Sequence, residues 1–202
     1  MRVAIIGTGN VGNALATALC RAGNEIVFGA RSPEAGAPDQ RTIAEAVATA
    51  DASILAVPFG AGAEVIAAAG GFAGKIVIDA TNPLGMTDGA LGLTLGYTTS
   101  GAEQIAALAP QARVFKAFNQ TGWENMQDAR PYAARPVMFV AGDDDAGKKI
   151  VLRLVTDAGL EAVDLGALGT ARLLEPFAML WIELARQRGF GSDFSFALQR
   201  KG

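Results

Sequence analysis

The chain contains no histidine among its 202 residues, and this removes the commonest general base, proton shuttle and metal ligand from the mechanisms open to it. Serine-histidine triads and zinc sites of the usual kind are excluded. A single cysteine, Cys20, has no partner for an internal disulfide, and its place in the first helical segment reads as core filler. Only two tyrosines are present, Tyr97 and Tyr132, and neither is followed four residues later by lysine, so the Tyr-x-x-x-Lys catalytic pair is missing too. No apolar run approaches the roughly 18 to 20 residues that a membrane helix needs. The sequence opens on a core strand rather than a cleavable signal, which predicts a cytoplasmic protein without a membrane partner. Charge of one sign is also scarce: 17 basic and 20 acidic side chains leave a net charge of −3, and no basic stripe marks a nucleic-acid partner.

What is present is a chain half of whose residues are apolar, enough for one buried core over residues 1–202. Strand and helix patterns alternate, which predicts a Rossmann-type α/β fold: a doubly wound, mostly parallel sheet of seven or eight strands with helices on both faces. Strands are expected at Val3–Ile6, Glu25–Phe28, Ser53–Val57, Lys75–Asp79, Arg113–Phe118, Val137–Ala141 and Glu161–Leu165. Helices are expected to end at Ala22-Gly23 and to span Arg41–Thr49, Ala61–Ala69, Ala102–Ala109 and Ala146–Ala158. Residues 168–202 read as a C-terminal helical extension, its long helix from Leu168 to Arg188 broken or kinked at Pro176. Within it Phe177–Ile182 is apolar on every face, which suits either the core or a homodimer interface. Glycine-rich residues 84–100 show no period and read as a flexible lid or as slack.

The most informative segment is the first thirty-two residues. An apolar strand runs into Gly7-Thr8-Gly9-Asn10-Val11-Gly12, which opens a helix. Gly7 would allow a tight turn, Gly9 would let backbone N–H groups approach a pyrophosphate, and Gly12 would let the helix pack on the strand. The free N–H groups and the dipole at the helix start then attract the anion. The second strand ends in Ala30-Arg31-Ser32, where an NAD site would place an acid to bind the ribose hydroxyls. Arg31 there suits the 2′-phosphate of NADP, or else is a solvated arginine before a turn at Pro33.

In doubly wound sheets ligands bind beyond the carboxyl ends of the strands. Val57-Pro58-Phe59 could wall an adenosine or nicotinamide face, or form an ordinary turn. Asn82, followed by Pro83, and Asn119, in Lys116-Ala117-Phe118-Asn119, could hydrogen-bond the carboxamide or a ribose, or close Asx-turns. Asp143-Asp144-Asp145 has the look of a metal cluster, but acids at a helix start serve its dipole.

With these residues in view, the chain resembles the NADP oxidoreductases that use the deazaflavin coenzyme F420, and more distantly the reductase domain of the six-transmembrane metalloreductases. The likeness rests on the glycine turn, Gly29-Ala30-Arg31-Ser32, Asn82-Pro83, Val114 to Asn119, Gly142 to Asp145 and Leu174-Glu175-Pro176. It implies that Thr8, Arg31 and Ser32 hold the 2′-phosphate of NADP(H). It also implies that a deazaflavin, FMN, FAD or similar small electron acceptor stacks on the nicotinamide for direct hydride transfer, with no catalytic side chain and no metal. Position 30 is alanine where such proteins often have serine, and their glycine turn can be one residue longer. The alternative from another class is a non-catalytic NADPH-binding sensor.

Overall fold

The computed structural model of the chain describes every residue except Pro38, Asp88 and Gly202. At its centre lies β1 (Arg2–Ile6), flanked by β2 (Glu25–Ala30) and β4 (Ala52–Leu55). The other strands are β3 (Gln40–Thr42), β5 (Ile76–Asp79), β8 (Arg113–Lys116), β9 (Val137–Gly142) and β10 (Glu161–Asp164). Together they form an eight-stranded sheet in the order β10-β9-β8-β5-β4-β1-β2-β3. Six neighbouring strands, β8 to β3, run parallel, whereas β9 pairs antiparallel with β8 and carries a parallel β10 at the edge.

The central strands are largely apolar because both faces are covered. Val3 and Ile5 point into one core with Leu15 and Leu19 of α1 (Asn10–Arg21) and Val151, Leu154 and Val155 of α6 (Asp145–Asp157). Ala4 and Ile6 point the other way, into a core with Ile43 and Val47 of α2 (Ile43–Thr49), Val65 and Ile66 of α3 (Gly62–Ala68) and Ile105 of α4 (Gly101–Leu108). Each fully buried leucine or isoleucine here contributes about 1.5–3 kcal/mol.

Several boundaries depart from expectation for local reasons. The helix expected from Arg41 starts at Ile43, because Thr42 and Glu45 form a capping box and Gln40–Thr42 pairs as an edge strand with β2. The segment 84–100, read from sequence as a flexible lid or as slack with no period, opens with a hairpin, β6 (Leu84–Thr87) with β7 (Ala90–Leu93), and β7 lies against the C-terminal helix. Cys20 is exposed rather than core filler; it shares the solvent face of α1 with Asn13 and Thr17. Of the three aspartates, Asp144 caps α6 by accepting from the Gly147 N–H at 2.6 Å, Asp145 stands in its first turn, and Asp143 accepts from the Leu168 N–H.

The chain ends in α7 (Ala171–Ile182), entered through a 3₁₀ turn at Leu168–Thr170 and continued by a π-helical segment, Glu183–Gln187. Helical structure runs through Pro176 unbroken and stops at Gln187, so residues 188–201 of the expected helical extension are not helix. That tail folds back on its own chain. Phe194 stacks on Trp181 with ring centroids 5.3 Å apart and accepts the indole N–H, while the Val137 N–H donates to the Phe196 carbonyl. The apolar segment Phe177–Ile182 is partly sorted by this packing: Ala178 and Trp181 are buried, Phe177 packs on Phe139 and Phe196, and Leu180 stays exposed. Among the described residues no helix is long and apolar enough to cross a membrane.

Candidate functional site: a two-part cavity at the carboxyl ends of the strands

The turn after β1 is built by backbone constraints that only glycine meets. Gly7 has φ +117°, and a Cβ there would stand 2.3 Å from the Ala56 carbonyl oxygen. A Cβ on Gly12 would stand 2.2 Å from the carbonyl oxygen of Gly7, so the two glycines fix the close contact of turn and helix. Gly9 differs: a Cβ there would meet nothing within 4 Å, because it faces open space at the start of α1. It is the N-cap, it makes no side-chain cap, and the first turn of α1 holds no acid. The helix therefore presents free N–H groups and uncompensated positive dipole to that space.

Two cavities flank this turn. The larger, about 630 Å³, is lined by Gly7, Thr8 and Gly9, by Ala30 at the end of β2 with Arg31 and Ser32 beyond it, by Ala56, Val57 and Pro58 beyond β4, and by Glu64 of α3. The smaller, about 360 Å³, lies on the other side and shares Gly9, Ala56, Val57 and Pro58 with it. Its remaining walls are Asn10, Val11, Ala80, Trp123 and Arg186.

Within the larger cavity Arg31 points its guanidinium at the Glu64 carboxylate, 3.4 Å away. Both side chains are largely exposed, 74% and 60%, so this is a loose surface pair worth at most about 1 kcal/mol. A phosphate can displace such a partner.

At the ends of β5 and β8, against α4 and α7, lies a charged cluster that is almost wholly buried. The Lys116 ammonium at the end of β8 donates to Asp79 Oδ2 at 2.9 Å and to the Thr81 carbonyl at 2.7 Å. It also meets Glu175 Oε1 of α7 at 2.8 Å. Glu175 in turn accepts the Gly101 and Ala102 N–H groups at the start of α4, and Asp79 accepts both the N–H and the hydroxyl of Thr81. Every charge thus has partners, which a buried ion needs. The cluster bolts α7 and α4 to the strand ends that carry Ala80 and Thr81.

The structure brings Gly7, Thr8, Gly9, Asn10, Val11, Ala30, Arg31, Ser32, Val57 and Pro58 to the two cavities, with Gly12 just behind as packing. It does not bring Phe59, Asn82, Pro83 or Asn119 there. Phe59 is partly buried and packs against the core beside Gly101 of α4. Asn82 and Asn119 spend their amides on one another: Asn119 Nδ2 donates to Asn82 Oδ1 and the Leu174 carbonyl, Asn82 Nδ2 donates to the Asn119 carbonyl, and Gln120 Nε2 donates to Asn119 Oδ1. Pro83 is buried and its carbonyl accepts from Thr94. Nor does any described residue of 84–100 wall these cavities. Sequence reasoning missed Glu64, Trp123, Arg186 and the Asp79-Lys116-Glu175 cluster. A signal existed for the cluster, since each member is a charge set in an apolar run; for the others there was none.

A parallel sheet with a glycine turn at the start of α1 and a cavity at its carboxyl edge defines a Rossmann-type dinucleotide-binding protein. Residues 2–83 match the family model described as NADP oxidoreductase, coenzyme F420-dependent. A crystal structure from Arthrobacter sp. FB24, provisionally assigned as an F420-dependent NADP reductase, is 32% identical with a TM-score of 0.88, covering 99% of this chain and 100% of its own. The F420-dependent NADP reductase of Methanothermobacter marburgensis is 28% identical over 212 residues, 91% of this chain and 92% of that protein. The metalloreductase STEAP3 of Rattus norvegicus is 30% identical over 180 residues, 86% of this chain but 36% of that protein. The chain spans about a third of the length of the metalloreductases it matches. The chain belongs to the family of coenzyme F420-dependent NADP oxidoreductases.

Proposed function

We propose that the chain carries out hydride transfer between NADPH and a deazaflavin, a flavin or a similar planar acceptor. The observation that carries the NADP half of this reading is the larger cavity: Arg31 and Ser32 share it with the glycine turn, and position 30, at the end of β2, is alanine rather than an acid. A guanidinium and a hydroxyl there suit a 2′-phosphate, while the Gly9, Asn10 and Val11 N–H groups suit the pyrophosphate. The residues present fit the cofactor, with Thr8 and Ser32 as hydroxyl donors in the same cavity as Arg31.

NADP(H), once bound, supplies or takes up the hydride, so the protein needs no acid or base of its own. Its part is to bind and align. Val57 and Pro58 form the wall common to both cavities, and they would hold the dinucleotide across the β4 edge. Trp123 and Ala80 offer apolar surface in the smaller cavity, where a nicotinamide and an acceptor ring could lie face to face and shed water. The family match and the Methanothermobacter marburgensis relative favour a deazaflavin as acceptor.

The test is NADPH oxidation, followed by its absorbance, against deazaflavin, FMN, FAD, riboflavin, quinones and ferric chelates, with NADH in parallel. Saturable turnover with a deazaflavin or flavin is expected. Tight NADPH binding with no turnover across the whole panel would instead make the protein a sensor.

A further inference from the structure

The π-helical segment after α7 sets one side chain apart. Glu183–Gln187 winds more widely than an α-helix, and such turns recur at functional sites because they re-aim a residue that a regular helix would direct elsewhere. Here the residue is Arg186, which is exposed and walls the smaller cavity together with Gly9, Asn10 and Val11. Nearby arginines are committed: Arg172 forks onto Glu103, and Arg188 holds Glu183. Arg186 has no hydrogen-bond or ion-pair partner among the described residues. An unpaired guanidinium and a helix start rich in free N–H groups therefore line one small cavity, which shares Gly9, Ala56, Val57 and Pro58 with the one that holds Arg31.

Resting on the NADP reading above, we infer that Arg186 is the second jaw of the phosphate site. The nicotinamide-side phosphate of the dinucleotide would sit between the first turn of α1 and the Arg186 guanidinium. Backbone N–H groups alone recognise a phosphate from one side and leave oxygens pointing to solvent; a planar fork on the opposite wall takes those oxygens in a bidentate, charge-assisted contact. Because Arg186 rides on the C-terminal helix, which Glu175 ties to Lys116 and to α4, the grip comes from a structural element remote in sequence from the glycine turn.

The experiment compares two ligands by calorimetric titration. NADPH carries the nicotinamide-side phosphate; adenosine 2′,5′-bisphosphate carries the 2′-phosphate and only the adenosine-side phosphate. Arg186→Met should weaken NADPH binding by about tenfold or more while leaving adenosine 2′,5′-bisphosphate within about twofold and the unfolding temperature unchanged. Unchanged NADPH affinity overturns the inference, and so does an equal loss for both ligands. If NADPH affinity holds but the affinity for deazaflavin or FMN falls, the side chain serves an anionic group of the acceptor and the inference is likewise overturned. Failure of the parent chain to bind either ligand would reject the NADP reading itself, a result distinct from any change confined to the variant.

Discussion

Arg31 and Glu64 meet across the larger cavity, guanidinium to carboxylate at 3.4 Å, although one follows β2 and the other lies in α3. For a 2′-phosphate to bind Arg31, Glu64 must give way, and its charge then stays close to the phosphate. Arg31→Ala should cost NADPH about tenfold to a hundredfold in affinity, the worth of a charge-assisted phosphate contact, and should leave NADH nearly unaffected. Glu64→Gln should tighten NADPH binding by a few-fold at low salt, an advantage that fades as added salt screens the repulsion. Parallel titrations with both nucleotides check this; equal affinities for NADPH and NADH in the parent would defeat it.

Glycine substitutions should separate folding from binding. Gly12→Ala drives a methyl into the Gly7 carbonyl, backbone that cannot swing away, and should lower stability by about 1–3 kcal/mol. Gly9→Ala adds a methyl to open space and should change stability by under about 1 kcal/mol, yet place that methyl where the pyrophosphate approaches. Denaturant melts combined with NADPH titration would show a destabilised Gly12 variant beside a stable, poorly binding Gly9 variant.

Lys116 holds two buried carboxylates at once, so Lys116→Met leaves Asp79 and Glu175 without their counter-charge. Loss of one partner from such a buried cluster costs about 3–5 kcal/mol. Glu175→Gln should be milder, since its amide oxygen still accepts from an N–H group of α4. Chemical denaturation would rank the two; a Lys116 variant as stable as the parent would show that the cluster is not closed to water.

The contact between Glu103 and Arg172 should make stability depend on acid. The Arg172 fork, followed by the Ser100 hydroxyl, holds the Glu103 carboxyl below its ordinary value. A carboxyl depressed in the folded state stabilises above its unfolded pKa, and that contribution disappears as pH falls through the folded one. Glu103→Gln should therefore lower the melting temperature by about 2 °C or less at neutral pH, as suits a half-exposed pair, and match the parent in acid. A deficit that persists at low pH would point to lost packing rather than lost charge.

The alternation of strands and helices was legible because β1, β4 and β5 are mostly apolar, with Arg2, Ser53 and Asp79 their only polar members, and α1 and α6 keep a helical period. The hairpin at Leu84–Leu93 escaped notice because its glycines and methionine give no alternation, and β3 because Gln40–Thr42 is a short polar edge. In the site, the glycine turn and Arg31-Ser32 could be read because they are contiguous stretches with a local physical reason. Trp123, Arg186 and Glu64 could not, since each comes from a separate element and only the sheet order brings them together. Asn82 and Asn119 have the chemistry of ligand contacts, but they hydrogen-bond one another across the strand ends, and an amide engaged by a neighbour looks the same in sequence as one facing a ligand.

The placement of the two tryptophans gives this chain a pair of intrinsic optical reporters that can be read apart. Trp123 walls the smaller cavity and is half-buried, so its emission should respond to anything that enters there. Trp181 is buried, stacked on Phe194 and hydrogen-bonded to the tail. Its emission should shift to the red only when the tail comes away, so occupancy and docking can be followed in one cuvette without a label.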